Sequence, residues 1–135
     1  VTTAGLNDLL TQYFKGSAYT AAFYVGVTAA TPTFAAGDTM SSHAGWTESS
    51  AYSQATRPAL TLGTAASGSI DNSASKAQFS INGTATIGGA FIATNSTKGG
   101  TTGTLYGGGA FTEGNRSVVS GDTINVQATL TAASA

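Results

Sequence analysis

His43 is the only histidine in the chain, so a hydrolytic site of the serine type would have to be built on it. Such a site needs a base beside its nucleophile, and Ser41, Ser42 and Glu48 lie close to His43 in sequence. Serine is frequent throughout the chain, so this proximity carries little weight, and the strained turn motif that presents a nucleophilic serine is absent. We therefore expect His43 in a loop or at an interface rather than in a catalytic triad.

The acidic residues offer a second kind of chemistry, because glycoside hydrolysis uses a pair of carboxylates. Most of them lie beside Gly, Asn or Ser, where turn formation explains an acidic residue: Asp8, Asp38, Glu48, Asp71, Glu113 and Asp122. Residues 71–73 are the densest run of oxygen donors, but they lack the spaced carboxylates of a calcium site. One histidine without cysteine does not make a zinc site. The sequence therefore predicts a protein that is not an enzyme, with no catalytic residue, no metal site and no cofactor.

Trp46 and the five tyrosines are the side chains that could stack on a sugar or a base. Trp46 falls within residues 39–53, the least regular part of the chain, which also holds Met40, His43 and Tyr52. Two interpretations of Trp46 are open: an exposed anchor for a ligand, or a residue of the core or of a lid. The second is favoured because large aromatic side chains are usually buried.

The composition is unusually poor in charge, with 8% charged residues against about 25% in an average soluble domain. The formal net charge of −1 provides no attraction for nucleic acid or for an anionic membrane. No stretch approaches the roughly 18 apolar residues of a membrane span, and residues 1–4 lack the start of a signal peptide. We expect a soluble protein without a conventional export signal, whose surface suits packing against other proteins.

Hydrophobic periodicity predicts one helix at the front of the chain, over residues 2–16. Its apolar residues recur at spacings of three and four and form one stripe: Leu6, Leu9, Leu10, Tyr13 and Phe14. Thr3 is suited to cap the start of this helix, and Gly16 to end it. Two roles are open: a short lid over one end of a β-structure, or an N-terminal arm that docks on a neighbouring subunit.

The remaining residues predict about seven or eight strands at roughly 8–12-residue spacing, which is typical of a β-sandwich or barrel. We assign residues 1–16 to an N-terminal helix or arm and residues 17–135 to a single β-sandwich domain. The first strand is expected over residues 18–28. The clearest is expected over residues 121–132, where apolar residues alternate with an uncharged polar row: Thr123, Asn125, Gln127 and Thr129.

Glycines mark three special places in these strands. Asn82-Gly83 predicts a two-residue hairpin. The Gly88-Gly89 pair predicts a bulge or a close backbone approach within a strand whose Ile87, Phe91 and Ala93 face inward. Residues 107–109 are all glycine, which favours a bulky neighbour such as Trp46 or a tyrosine lying across the backbone.

Six segments of the chain are distinctive when they are taken together and in this order. They are Tyr-Phe-Lys-Gly (13–16), Tyr-Thr-Ala-Ala-Phe-Tyr-Val-Gly (19–26), His-Ala-Gly-Trp-Thr-Glu (43–48), Asp-Asn-Ser-Ala-Ser-Lys (71–76), Ile-Gly-Gly-Ala-Phe (87–91) and Ser-Gly-Asp-Thr (120–123). Together these segments resemble the small cement, or decoration, proteins that tailed bacteriophages encode beside their capsid genes. The resemblance covers nearly the whole chain, and its motifs are structural rather than catalytic.

This resemblance implies an all-β, antiparallel, jelly-roll-like sandwich on the outer surface of the virion capsid, made in the cytoplasm of the host bacterium. Its partners would be the major capsid protein, whose neighbouring subunits it would bridge, and itself, as a homodimer or homotrimer. No nucleic acid or membrane partner is expected. The side chains we expect at these interfaces are Leu6, Leu10, Tyr13, Phe14, His43 and Trp46. The alternative is a phage tail or head-fibre module that binds a host surface glycan through Trp46 and tyrosines.

Overall fold

A computed structural model describes residues 1–16 and 21–134 and shows antiparallel β-sheets with one N-terminal helix. Within these ranges, helix α1 (Thr3–Leu10) continues as a π-helical turn over Thr11–Lys15. Nine strands follow: β1 (Tyr24–Ala29), β2 (Thr47–Ser49), β3 (Ser69–Asp71), β4 (Ala77–Ser80), β5 (Ala85–Ala93), β6 (Leu105–Ala110), β7 (Arg116–Val118), β8 (Thr123–Val126) and β9 (Thr129–Thr131). The expected all-β, antiparallel, sandwich-like fold with a short N-terminal helix is confirmed.

The larger sheet is built around β5, and its strand order is β2-β1-β5-β6. The fifth strand, β7, pairs with the part of β5 that lies beyond the end of β6. The second layer consists of two short ladders, β4 with β8 and β3 with β9. The side chains between the layers form the first core: Val25, Val27, Tyr52, Ala77, Phe79, Ile81, Ile87, Val118 and Val126. A separate second core, to which Phe91 of β5 belongs, comprises Met40, Trp46, Phe91, Ala93 and Leu105, with Phe34 packed against it.

The glycine pair in β5 makes both features that the sequence predicts there. Thr28 pairs with Gly89 and Ala29 pairs with Ile87, so Gly88 is the extra residue of a β-bulge. A Cβ on Gly88 would lie 2.0 Å from the carbonyl oxygen of Ala30, which only glycine avoids. Because a bulge shifts the alternation of side chains by one residue, Ile87 belongs to the first core and Phe91 to the second. Ile87, Phe91 and Ala93 are all buried, as expected, but they are divided between the two cores for this reason.

Asn82-Gly83 does not form the expected hairpin. The strand before it, β4, pairs with β8, and the strand after it, β5, pairs with β1, β6 and β7. A two-residue hairpin of the Asn-Gly type needs positive φ at both residues, and neither has it. The backbone N–H of Asn82 instead donates to the carbonyl oxygen of Ala51 at 3.2 Å. Long-range pairing has therefore overridden a local turn signal.

The closing segment keeps its predicted alternation but is divided into two strands. Ile124 and Val126 turn towards the interior, and Thr123 and Asn125 are exposed. Between β8 and β9 the buried side chain of Asn72 replaces a backbone pairing: its Nδ2 donates to the Val126 carbonyl oxygen at 3.1 Å, and its Oδ1 accepts from the Ala128 N–H at 2.8 Å.

The front of the chain differs slightly from the prediction. Thr2 rather than Thr3 is the N-cap of α1, and Gly16 follows the π-helical turn in an extended conformation. Of the strand expected over residues 18–28, residues 18–20 lie outside the described part, and β1 begins at Tyr24. No helix in the described ranges is long and apolar enough to cross a membrane.

Candidate functional site

Helix α1 is fastened to β6 through its first turn. The hydroxyl oxygen of the buried Thr2 accepts the Gly5 N–H at 3.0 Å, and the Thr2 N–H donates to the Tyr106 carbonyl oxygen at 2.8 Å. Gly5 lies so close to β6 that a Cβ on it would be 2.9 Å from the Cα of Tyr106. The Tyr106 hydroxyl also donates to the carboxylate of Asp8. The side of the helix that packs on the β-structure is therefore small and polar.

The apolar side of the same helical segment faces away from the body. We call it the helix stripe, and its exposed fractions run from 49% at Leu6 to 79% at Tyr13: Leu6, Leu9, Leu10, Tyr13 and Phe14. Tyr13 and Phe14 touch edge to face, with ring centroids 5.1 Å apart. The expectation that this stripe is a lid over the β-structure is wrong within this chain. The contacts with the body are made instead by Thr2, Gly5 and Asp8, which follow one another at intervals of three residues. An exposed apolar patch of this kind marks an interaction site in many proteins.

Trp46 lies in the second core and is 6% exposed, so it does not present an open stacking face. Its indole Nε1 donates to Asp38 Oδ2 at 3.3 Å, and its ring packs against Phe34 and Phe91 with centroids 5.0 and 4.8 Å away. The half-buried ring of His43 lies flat on it at 3.7 Å. The idea of Trp46 as an exposed anchor for a glycan is therefore wrong, and His43 is the part of this pair that reaches the surface.

The residues that could have formed a triad with His43 are engaged elsewhere. His43 Nδ1 donates to the carbonyl oxygen of Trp46 at 2.9 Å. The Ser42 N–H donates to Thr39 Oγ1 at 3.1 Å, and the Ser41 hydroxyl lies 3.3 Å from the same atom. Among the described residues, no hydrogen bond joins His43 to Ser41, to Ser42 or to Glu48.

Glu48 instead forms a buried ion pair that sequence reasoning missed. Arg57, which is 1% exposed, donates to both carboxylate oxygens of Glu48, from Nε at 2.8 Å and from Nη2 at 2.7 Å. The remaining hydrogen bonds of the guanidinium reach the carbonyl oxygens of Asn95 at 2.7 Å and Gly100 at 3.0 Å. A buried guanidinium needs this full set of acceptors. The ion pair therefore holds residues 94–104 against the sheet. The one feature of the sequence that could have drawn attention to Arg57 is that basic residues are rare in this chain.

The other carboxylates also have local structural partners. The Ser73 hydroxyl and, to a lesser extent, the Ser73 N–H at 2.8 Å lower the pKa of Asp71 by hydrogen bonding. Asp122 Oδ2 accepts the Val119 N–H at 2.9 Å, and Glu113 pairs with Arg116 at the surface. Within residues 1–16 and 21–134, no three His, Cys, Asp or Glu residues gather closely enough to hold a metal ion.

An open groove of about 800 Å³ lies at the surface, and we call it the edge groove. It lies between β7 in one layer and β8 in the other. Successive residues of β8, whose side chains point to opposite faces of the sheet, line the groove. The groove therefore runs along the edge of that strand rather than over one of its faces. Its walls are formed by Phe111, Thr112, Glu113, Arg116, Ser117, Val118, Asp122, Thr123, Ile124, Asn125, Gln127 and Thr129.

The described residues therefore present two candidate surfaces for binding, the apolar helix stripe and the mainly polar edge groove, while His43 and Trp46 lie together at a third place. No protein-family model matches the chain, and no curated protein matches it in sequence.

Proposed function

We propose that this chain is a non-enzymatic structural protein of a bacteriophage virion, which cements the outer surface of the capsid by bridging neighbouring major capsid protein subunits. The observation that carries the proposal is the helix stripe, five large apolar side chains held outward by a helix whose polar side is fastened to the body. The resemblance to decoration proteins supports the same role.

The way the helix is attached suits a clamp. Thr2 and Gly5 bind the first turn to β6, so a protein that is bound to the stripe would be connected directly to the sheet. Beyond α1, the π-helical turn over Thr11–Lys15 carries the adjacent rings of Tyr13 and Phe14. Large aromatic side chains of this kind are enriched among the residues that dominate binding energy at interfaces. The stripe would therefore supply the anchor residues of the contact with the capsid protein.

The charge-poor surface supports the same interpretation. Burying charged groups in an interface is costly unless each one finds a partner. With 8% charged residues and a net charge of −1, this chain can cover a large area of another protein at a small electrostatic cost. Such a surface provides no attraction for nucleic acid or for an anionic membrane. The partners in this proposal are therefore the major capsid protein and further copies of this chain.

The test uses expanded, DNA-free capsid shells of the phage whose genome encodes the chain. The purified protein is expected to cosediment with these shells and to raise the temperature at which they come apart. The variant Leu10→Ser is expected to bind about 10-fold more weakly, because it removes one anchor side chain from the interface.

Val119→Ser is the matched control, since Val119 and Leu10 are both 54% exposed and Val119 lies outside the helix. The control is expected to bind like the unmodified protein. Absence of binding to shells, binding only to tail structures, or equal loss of binding in both variants would overturn the proposal.

A further inference from the structure

The edge groove follows a strand edge that has no partner strand within residues 1–16 and 21–134. Around β8 and β9, the carbonyl oxygen of Val126 and the N–H of Ala128 both point towards Asn72, and the N–H of Ala132 points towards Gly68. Backbone groups of successive residues in a strand point to opposite sides. The N–H and C=O groups of Thr123 and Asn125 therefore point the other way, where no strand of the described ranges pairs with β8.

This edge also lacks the devices that keep edge strands apart. Natural proteins protect such edges with lysine, proline, inward charges or bulges. Residues 123–127 read Thr-Ile-Asn-Val-Gln and contain none of these. Their pairing with β4 is regular, from Ser80 opposite Thr123 to Ala77 opposite Val126. An unprotected, regular edge beside an open groove is suited to receive another strand.

We propose that residues 123–127 pair antiparallel with the same residues of a second copy of this chain, about a two-fold axis at Asn125. In this register Thr123 lies opposite the second copy's Gln127, and Ile124 lies opposite the second copy's Val126. Polar side chains then meet polar ones on the exposed face, and apolar side chains meet apolar ones on the inner face. Asn125 faces its own copy at the axis, where the two residues exchange both backbone hydrogen bonds.

The occupant is a second copy because the segment is complementary to itself. A two-fold interface uses the same patch on both subunits, so every residue must tolerate its symmetry partner. Like charges directly opposite each other destabilise a strand pair, and residues 123–127 carry no charge. The inference concerns β8, does not depend on capsid binding, and uses no residue of the helix stripe.

The test measures the oligomeric state of the purified protein by analytical ultracentrifugation over a wide concentration series. The unmodified protein is expected to form a dimer. Asn125→Lys and Asn125→Glu each place like charges at the axis, and each is expected to raise the dissociation constant by about 10-fold or more. Mixing the two variants in equal amounts is expected to restore the dimer as a heterodimer. Circular dichroism checks that both exposed substitutions leave the fold intact.

Two control variants separate this edge from other surfaces. Gln78→Lys places the same charge on the residue that pairs with Asn125, one strand further in, and is expected to remain a dimer. Leu10→Ser, which weakens the helix stripe, is also expected to remain a dimer. A monomeric unmodified protein, a dimer that survives Asn125→Lys, or an equal mixture that stays monomeric would each overturn the proposal. A strand from a different protein at this edge would give the first of these outcomes.

Discussion

The Tyr52 hydroxyl is a polar group at the centre of the first core. Its side chain is fully buried, its ring meets Phe79 edge to face at 4.9 Å, and the Lys98 ammonium lies 4.3 Å from the ring centroid. The hydroxyl oxygen is buried without a hydrogen-bond partner in the described part of the chain. Burial raises the pKa of Tyr52 well above its ordinary value, the charge of Glu48 raises it further, and Arg57 opposes this.

Tyr52→Phe is expected to increase the free energy of unfolding at neutral pH by about 1 kcal/mol, because it removes a buried hydroxyl that has no hydrogen-bond partner among the described residues. Urea denaturation measures the change. Tyr13→Phe, which removes an exposed hydroxyl, is the control and is expected to have no effect at neutral pH. A clear loss of stability in Tyr52→Phe would show that the hydroxyl has a stabilising partner.

The same substitution is expected to change the response to alkaline pH. The pKa of Tyr52 is raised in the folded state, so the unfolded chain ionises first once the pH exceeds the ordinary tyrosine pKa of about 10. Ionisation stabilises the unfolded chain, and the contribution of Tyr52 to the stability of the folded protein is therefore fully present below this pH and is lost as the pH rises further. The unmodified protein should therefore lose more stability than Tyr52→Phe between neutral pH and about pH 11. Equal losses in urea denaturation at the two pH values would contradict this.

At the scale of elements, the attachment of α1 depends on a glycine in the first turn of the helix. Glycine costs a helix about 1 kcal/mol relative to alanine, so its presence at position 5 needs a reason. The reason is the distance to β6, since a Cβ would lie 2.9 Å from the Cα of Tyr106. Packing and propensity therefore oppose each other at this residue, and packing has the larger effect.

Gly5→Ala is expected to loosen the helix from the body although alanine is the better helix former. Overpacking of this kind costs about 1–3 kcal/mol, and limited proteolysis should cut the N-terminal segment faster while the β-structure stays intact. Asn7→Ala is the matched control, because it gives a similar gain in helix propensity at an exposed position. Faster cleavage in both variants, or in neither, would contradict the packing argument.

The elements show where sequence reasoning succeeds and where it stops. The period of three and four identified the helix, and strict alternation identified the faces of β8, because both signals are local. The same periodicity could not predict which side of α1 contacts the body. An apolar stripe predicts that a face is buried, but it does not identify the surface that buries it. The conformation at Asn82-Gly83 was inaccessible for a related reason, because the flanking strands pair with segments distant in sequence. The burial of Arg57 likewise depends on the distant carbonyl oxygens of Asn95 and Gly100.

At the scale of the whole molecule, the scarcity of charge predicts how the proposed association with the capsid should respond to salt. Exposed charges within about 8 Å of each other interact at physiological ionic strength, and more salt weakens them. This chain has five basic and six acidic residues, and one of its ion pairs, Arg57–Glu48, is buried. Association through the helix stripe should therefore depend on apolar contact rather than on salt-sensitive attraction.

The affinity for capsid shells is expected to change by less than about threefold when the salt concentration is raised from low to well above physiological. Cosedimentation at several salt concentrations measures this. A steep loss of affinity with salt would indicate a binding surface dominated by charged groups. Such a result would indicate that the contact with the capsid lies outside the stripe, for example at the exposed Arg116–Glu113 pair.

The close contacts of aromatic rings with glycine restrict how this chain can evolve. A Cβ on Gly26 would lie 2.1 Å from the ring of Phe91, and one on Gly108 would lie 2.3 Å from the ring of Phe34. A replacement at Gly26 requires a compensating change in the ring that it meets. At Gly108 and Gly88 a Cβ would also meet the backbone carbonyl oxygens of Ala90 and Ala30, at 2.6 and 2.0 Å, which no change of side chain there relieves. Mutations can accumulate freely in the Thr and Ser coat meanwhile. Distant homologues should therefore keep the spacing of these glycines and rings long after their overall sequence identity has faded.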